Sequence, residues 1–429
     1  MDCLVIKNDG IGDLVLSSGV IASLATVFKG TLDLVTCEQN RGIAELIPGL
    51  RNVYYVSRDN LNFVSYKLPF TCRKDKAVLR EISRKQYDTA ICLRRFIRQS
   101  SLVIMHSVSA RKKYCCWQMP TNLPRHLAEK YSKGWFHYNG NMQVLSELEY
   151  FWNFCSSFLK DFTPSMPVLK IDSNSEKAFF EGNKVALGIS GTIGKIPIGI
   201  WVKVAELLSK RGWSVHLVGD KRESEYADFI KKIVPSVTSH VGKLSLSETL
   251  QLLSRFRYYI GNDTGISHIA SLVVPKVLML LGGGTFLRFF PWPNREGQHV
   301  FFYGLDCFDC NWRCKYSKCY CLELLSAPLI FKYFIKISNG ENVPKIINIG
   351  DPTNFSYELA WRICGKESIY SFQGMLLGNV LRAVGNSFIG SPLLYLLWKF
   401  QRRMFPELEE KITLEETMTR LRQRRLRGK

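Results

Sequence analysis

Lys7-Asn8-Asp9-Gly10-Ile11-Gly12-Asp13, directly after the apolar run Cys3-Leu4-Val5-Ile6, and Gly261-Asn262-Asp263-Thr264-Gly265-Ile266-Ser267-His268, far downstream, share one local pattern. Each places glycine and a carboxylate where a strand-like run gives way to a helix-like one. In open α/β sheets this junction receives ligands, because the first helical turn offers unpaired N–H groups and a partial positive charge to phosphate. Two such junctions predict two facing sites in one cleft.

The surrounding sequence alternates accordingly. Leu4–Lys7 reads as a strand and Leu14–Phe28 as a helix, followed by strands at Leu32–Thr36 and Val53–Val56. A basic helix over Lys74–Arg84 precedes a strand at Thr89–Leu93, and from about Arg94 to Trp152 the pattern blurs. Alternation resumes with strand Val185–Ile189, helix Trp201–Lys210, strand Ser214–Val218, helix Ser224–Ile233, helix Ser247–Phe256 and strands Tyr258–Ile260 and Val277–Leu281. The βαβα order predicts parallel, doubly wound sheets. The join is expected near Pro164–Asn183, where prolines and a polar Asp172-Ser173-Asn174-Ser175 run punctuate the chain. The expected division is therefore 1–170, 171–325 and a basic, partly amphipathic extension over 326–429.

The 429 residues carry a formal net charge of +21, from 58 Lys and Arg against 37 Asp and Glu. The excess is +9, +5 and +7 in the three segments, so it belongs to the whole chain rather than to one arm. Such a field favours an anionic partner: a glycolipid or glycan acceptor, an acidic membrane surface or nucleic acid. No secretory pattern precedes the first strand, which predicts a cytoplasmic protein whose 13 cysteines are mostly reduced. Cys3, Cys37 and Cys92 sit in apolar runs as small hydrophobes. Cys307, Cys310, Cys314, Cys319 and Cys321 cluster instead, and four of them offer enough thiolates for a structural zinc. Met375–Leu377 and Leu393–Trp398 are too short and too interrupted to span a bilayer, but with the basic end Arg420–Lys429 they suit a peripheral position on an anionic membrane as well as a packed helical extension.

The chemistry of individual positions is legible. Asp13 falls just inside the first helix, where the dipole favours a carboxylate, and there it can serve as a general base or simply complete the helical turn. Lys195 follows the small-residue loop Ser190-Gly191-Thr192-Ile193-Gly194, so its ammonium can meet a diphosphate as that group gains charge. The loop lacks a GK[ST] ending, which argues against a nucleotide-hydrolysing P-loop. Either Glu223 or Glu225, after Gly219-Asp220, suits a donor ribose. The turn Asp263-Thr264-Gly265 presents helix N–H groups to phosphate, and His268 lies one helical turn further on.

Together, Ile11-Gly12-Asp13, Lys195 two residues before Pro197, and Asp263-Thr264-Gly265 followed by Ser267-His268 resemble family 9 glycosyltransferases, the lipopolysaccharide heptosyltransferases, over roughly residues 1–325. The resemblance implies a GT-B fold, two Rossmann-like domains facing across a cleft. It implies inverting transfer of a sugar, heptose from ADP-heptose, onto a lipopolysaccharide core or related glycan, with no metal or other cofactor required for catalysis. By the same analogy Asp13 is the base beside Gly12, Ser190 and Thr192 bind the donor phosphates, and Asp263 contacts sugar hydroxyls. The usual Lys-x-Trp-Pro is altered, since Ile196 precedes Pro197 and Trp201 lies further along.

Two other classes fare worse. A dinucleotide-dependent oxidoreductase needs a third glycine where Val15 stands. A non-catalytic anion- or nucleic-acid-binding protein accounts for the charge but leaves the paired strand–turn–helix sites unexplained.

Overall fold

The computed structural model describes residues 1–58, 73–116, 125–140, 146–171, 182–191, 194–305, 310, 312, 319–350 and 369–371. The apolar runs at 375–377 and 393–398 and the basic end at 420–429 lie outside them. The chain divides into two compact units, one comprising Met1–Ala178, Leu244–Arg255 and Gly265–Val273, the other Phe179–Lys243, Phe256–Thr264 and Val274–Lys429.

The first unit holds a six-stranded sheet of β1 (Cys3–Lys7), β2 (Leu32–Cys37), β3 (Leu50–Val56), β4 (Gln86–Cys92), β5 (Ser109–Cys116) and β6 (Phe136–Tyr138), in the order β3-β2-β1-β4-β5-β6. Every pairing is parallel. Parallel strands are covered on both faces, which is why β1 and β2 are buried along their whole length. Helix α1 (Ile11–Val27) is likewise buried around most of its circumference. At its middle, Gly19 lies so close to the backbone that a Cβ there would fall 2.0 Å from the Met166 carbonyl oxygen, so no larger residue fits without moving the chain.

The second unit holds an eight-stranded sheet of β7 (Lys184–Gly188), β8 (Ser214–Val218), β9 (Thr238–Ser239), β10 (Tyr258–Asn262), β11 (Lys276–Leu281), β12 (Gln298–Phe302), β13 (Ile346–Asn348) and β14 (Ile369–Ser371), ordered β14-β13-β12-β11-β10-β7-β8-β9. All of these pairings are also parallel. The described residues just beyond 325 are built into this unit: helix Ala327–Ser338 buries Leu329, Ile330, Tyr333, Phe334 and Ile337, one face at helical spacing, in the core that also holds Trp201 and Phe301.

Both sheets are thus doubly wound, with strand order reversing between β1 and β4 in one and between β7 and β10 in the other. Ligands bind outside the carboxyl ends of strands at such reversals, because the flanking connections run to opposite faces and leave a crevice. Both turns singled out in the sequence leave strands that border these crevices.

Candidate active site

In the first unit, the turn after β1 carries Asn8, Asp9 and Gly10. The Gly10 N–H donates to Asp13 Oδ2 at 3.2 Å, closing the start of α1 and fixing the half-buried carboxylate at the helix N-terminus. Glycine at position 12 is needed because helix Gly265–Val273, part of the same unit, packs on α1: a Cβ on Gly12 would lie 2.6 Å from His268 Cδ2. Gly265 is tight for the reciprocal reason, since its Cβ would lie 3.0 Å from Ile11 Cβ. Close approach, and not a left-handed backbone, explains that glycine. Gly12, Asp13, Gly265 and the buried His268 are therefore brought together.

The sequence did not single out the charges beneath this turn. Lys7 is fully buried, and Asp9 and Arg94 nearly so. Asn8 is gripped from three sides: its Nδ2 donates to Ser100 Oγ at 3.1 Å, and its Oδ1 accepts from Ser101 Oγ at 2.8 Å and from Arg94 Nη1 at 3.4 Å. Burial pushes the Asp9 carboxyl up against the pull of Lys7 and Arg94. A lysine closing an otherwise apolar strand was the one local signal available.

In the second unit, Ser190 and Gly191 follow β7, and the structure separates the two glutamates. Glu223 is buried, accepting from the Asp220 N–H at 3.2 Å and from Ser190 Oγ at 3.4 Å, while Glu225 is exposed on helix Ser224–Ile233. Burial and the neighbouring Asp220 push the Glu223 carboxyl above the ordinary glutamate range, whereas hydrogen bonds from Arg222 hold Asp220 below the aspartate range. Thr192 lies outside the described residues. Lys195 is exposed, its ammonium 5.2 Å above the Tyr226 ring, and its stem runs beside Gly191.

Beyond β10, Asp263 and Thr264 open the helix that contains His268. Asp263 Oδ2 accepts from Thr285 Oγ1 at 3.2 Å, so the loop Gly282-Gly283-Gly284-Thr285 after β11 joins this end of the sheet. Trp312 closes on the same glycines: Cβ atoms at Gly194, Gly282 and Gly284 would come within 2.1, 2.9 and 2.2 Å of its indole. The glycine run after an apolar strand was a readable signal, but nothing local marks Trp312.

Of the cysteine cluster, Cys307 and Cys314 lie outside the described residues. Cys310 and Cys319 are half-buried, and the buried Cys321 Sγ accepts the Gly283 N–H at 3.3 Å. Among the described residues no group of three or more His, Cys, Asp or Glu is placed to hold a metal ion. Cys3, Cys37 and Cys92 are buried among strands as expected, and burial pushes the Cys92 thiol up to about 11. Among the described residues no helix is long and apolar enough to cross a membrane.

The profile of glycosyltransferase family 9 (heptosyltransferase) matches residues 76–313. Lipooligosaccharide heptosyltransferase 2 of Haemophilus influenzae is 20% identical over 317 residues, covering 66% of this chain and 83% of that protein. Among solved structures, the family 9 glycosyltransferase of Veillonella parvula superposes with a TM-score of 0.63 at 14% identity, over 80% of this chain and 99% of that one. The Escherichia coli ADP-heptose lipopolysaccharide heptosyltransferase II superposes with a TM-score of 0.59 at 14% identity, over 79% and 99%. The folds are thus shared, GT-B in type, and with the family profile spanning more than half of its length the chain belongs to glycosyltransferase family 9, the heptosyltransferases, and is a glycosyltransferase.

Proposed function

We propose that this enzyme transfers heptose from ADP-heptose onto a lipopolysaccharide core or a related anionic glycan, with inversion. The observation that carries the reading is that a glycine-and-carboxylate turn follows a strand at the reversal point of each sheet, Gly10–Asp13 beside β1 and Asp263–Gly265 beside β10. The relatives' names supply the sugar and the nucleotide, and the net charge of +21 suits an acidic acceptor.

In this mechanism Asp13 takes the proton of the acceptor hydroxyl while its oxygen bonds to the anomeric carbon. The bond from that carbon to the diphosphate breaks, and the nucleoside diphosphate leaves with the electron pair. Lys195 faces the growing negative charge, with Ser190, Thr192 and the N–H groups at Thr264 and Gly265 as further phosphate donors. Asp263, steadied by Thr285, binds sugar hydroxyls.

Saturable binding measured by calorimetry against a panel of nucleotide sugars tests the donor. ADP-heptose should bind in the ~1 μM–1 mM range usual for enzyme substrates, followed by heptose transfer to a heptose-accepting core glycolipid. Saturation by a different nucleotide sugar, with none by ADP-heptose, would sink the assignment.

Glu223 is our choice for the ribose, because it is the glutamate held against the Ser190–Gly191 strand end. Glu223→Gln should weaken ADP binding by about tenfold, the worth of one hydrogen bond to a charged group. Glu225→Gln should leave it unchanged. A loss in the second variant and none in the first would reverse the choice.

A further inference from the structure

Lys7, Asp9 and Arg94 form a charged cluster directly beneath the turn that leads into α1. Lys7 Nζ lies 3.0 Å from Asp9 Oδ2 and 4.7 Å above the Phe151 ring, and Arg94 Nε lies 3.7 Å from the same carboxylate oxygen. Asp9 Oδ1 is buried and accepts no hydrogen bond among the described residues. Two buried cations therefore share one buried anion. A cluster of this kind is expensive to desolvate and returns little stability, so its presence at a strand end calls for another use.

The rest of the turn is clamped as firmly. Asn40 Nδ2 donates to the Asp9 carbonyl at 3.0 Å and to Thr36 Oγ1 at 3.0 Å, and Thr36 Oγ1 donates to the Lys7 carbonyl at 2.8 Å. Arg94 Nη1 donates to the Asn8 carbonyl at 3.0 Å. The next N–H along, that of Gly10, is the one that holds Asp13.

We infer that Asp9 is a positioning residue for the reaction: pinned between Lys7 and Arg94, it fixes the Asn8–Gly10 turn whose Gly10 N–H holds Asp13. This rests on Asp13 being the base.

The test is kcat read against KM and ADP affinity for the intact chain, with thermal melting as the check on folding. Asp9→Asn releases Lys7 and Arg94 from their shared carboxylate and should lower kcat about 10- to 100-fold, with donor KM and ADP affinity within twofold of wild type. A merely structural role would lower stability without this split between kcat and KM. Should Asp9→Asn fail to fold, Arg94→Gln, which loses the ion pair with Asp9, carries the same test. Folded variants with wild-type kcat, or with ADP affinity lost as much as kcat, overturn the inference. If Asp13→Asn itself turns over normally, the base assignment fails instead, and the two failures are distinguishable.

Discussion

Asp13→Asn is expected to lower kcat by about 10²–10⁴-fold while leaving folding and donor affinity intact. The selectivity follows from the geometry. Asp13 Oδ2 accepts the Gly10 N–H, and an asparagine carbonyl oxygen can accept the same bond, so the cap on α1 survives. What is lost is the capacity to take the acceptor's proton. The phosphate donors, Lys195 and the Asp263–Gly265 turn, are untouched, so calorimetric titration with ADP should match wild type. Equal turnover of the two proteins at saturating acceptor would remove Asp13 from the mechanism.

Lys195→Ala should reduce turnover by about 10²–10³-fold, as removal of one preorganised donor to a developing anion does elsewhere, and should weaken ADP binding much less. The charge that Lys195 meets grows as the diphosphate departs, so its interaction is stronger in the transition state than in the bound donor. The side chain is exposed and its ammonium sits over the Tyr226 ring, so little stability depends on it and the melting temperature should stay near wild type. A loss of ADP affinity equal to the loss of kcat/KM, with kcat unchanged, would make Lys195 a ground-state anchor. Unchanged kinetics would exclude it from the site.

The stretch from Gln99 to Tyr138 illustrates where local reading fails. Helix Gln99–Ser107 and strands β5 and β6 are not legible locally: β5 reads Ser-Ala-Arg-Lys-Lys-Tyr-Cys-Cys, with Arg111 and Lys112 exposed, so it lacks the continuous apolar character of β1. Residues 326–429 read by composition as a separate basic extension, yet helix Ala327–Ser338 and strand β13 within them belong to the core and sheet of the second unit.

What the sequence determined by itself was local: the two series of apolar strands and helices, and the glycine and carboxylate that sit where β1 and β10 end. A buried parallel strand must be apolar along its length, and a strand-to-helix turn that receives a ligand needs small residues and a cap, so both leave marks within a few residues. Only the tertiary structure decided which strands adjoin, and hence that each turn borders a reversal in its sheet. It also decided that Glu223 and not Glu225 faces the strand end, that His268 requires Gly12 to be glycine, and that Lys7 and Asp9 meet Arg94. These pairings join residues far apart in the chain through burial and crossover connections, and no short stretch of sequence encodes its distant neighbour.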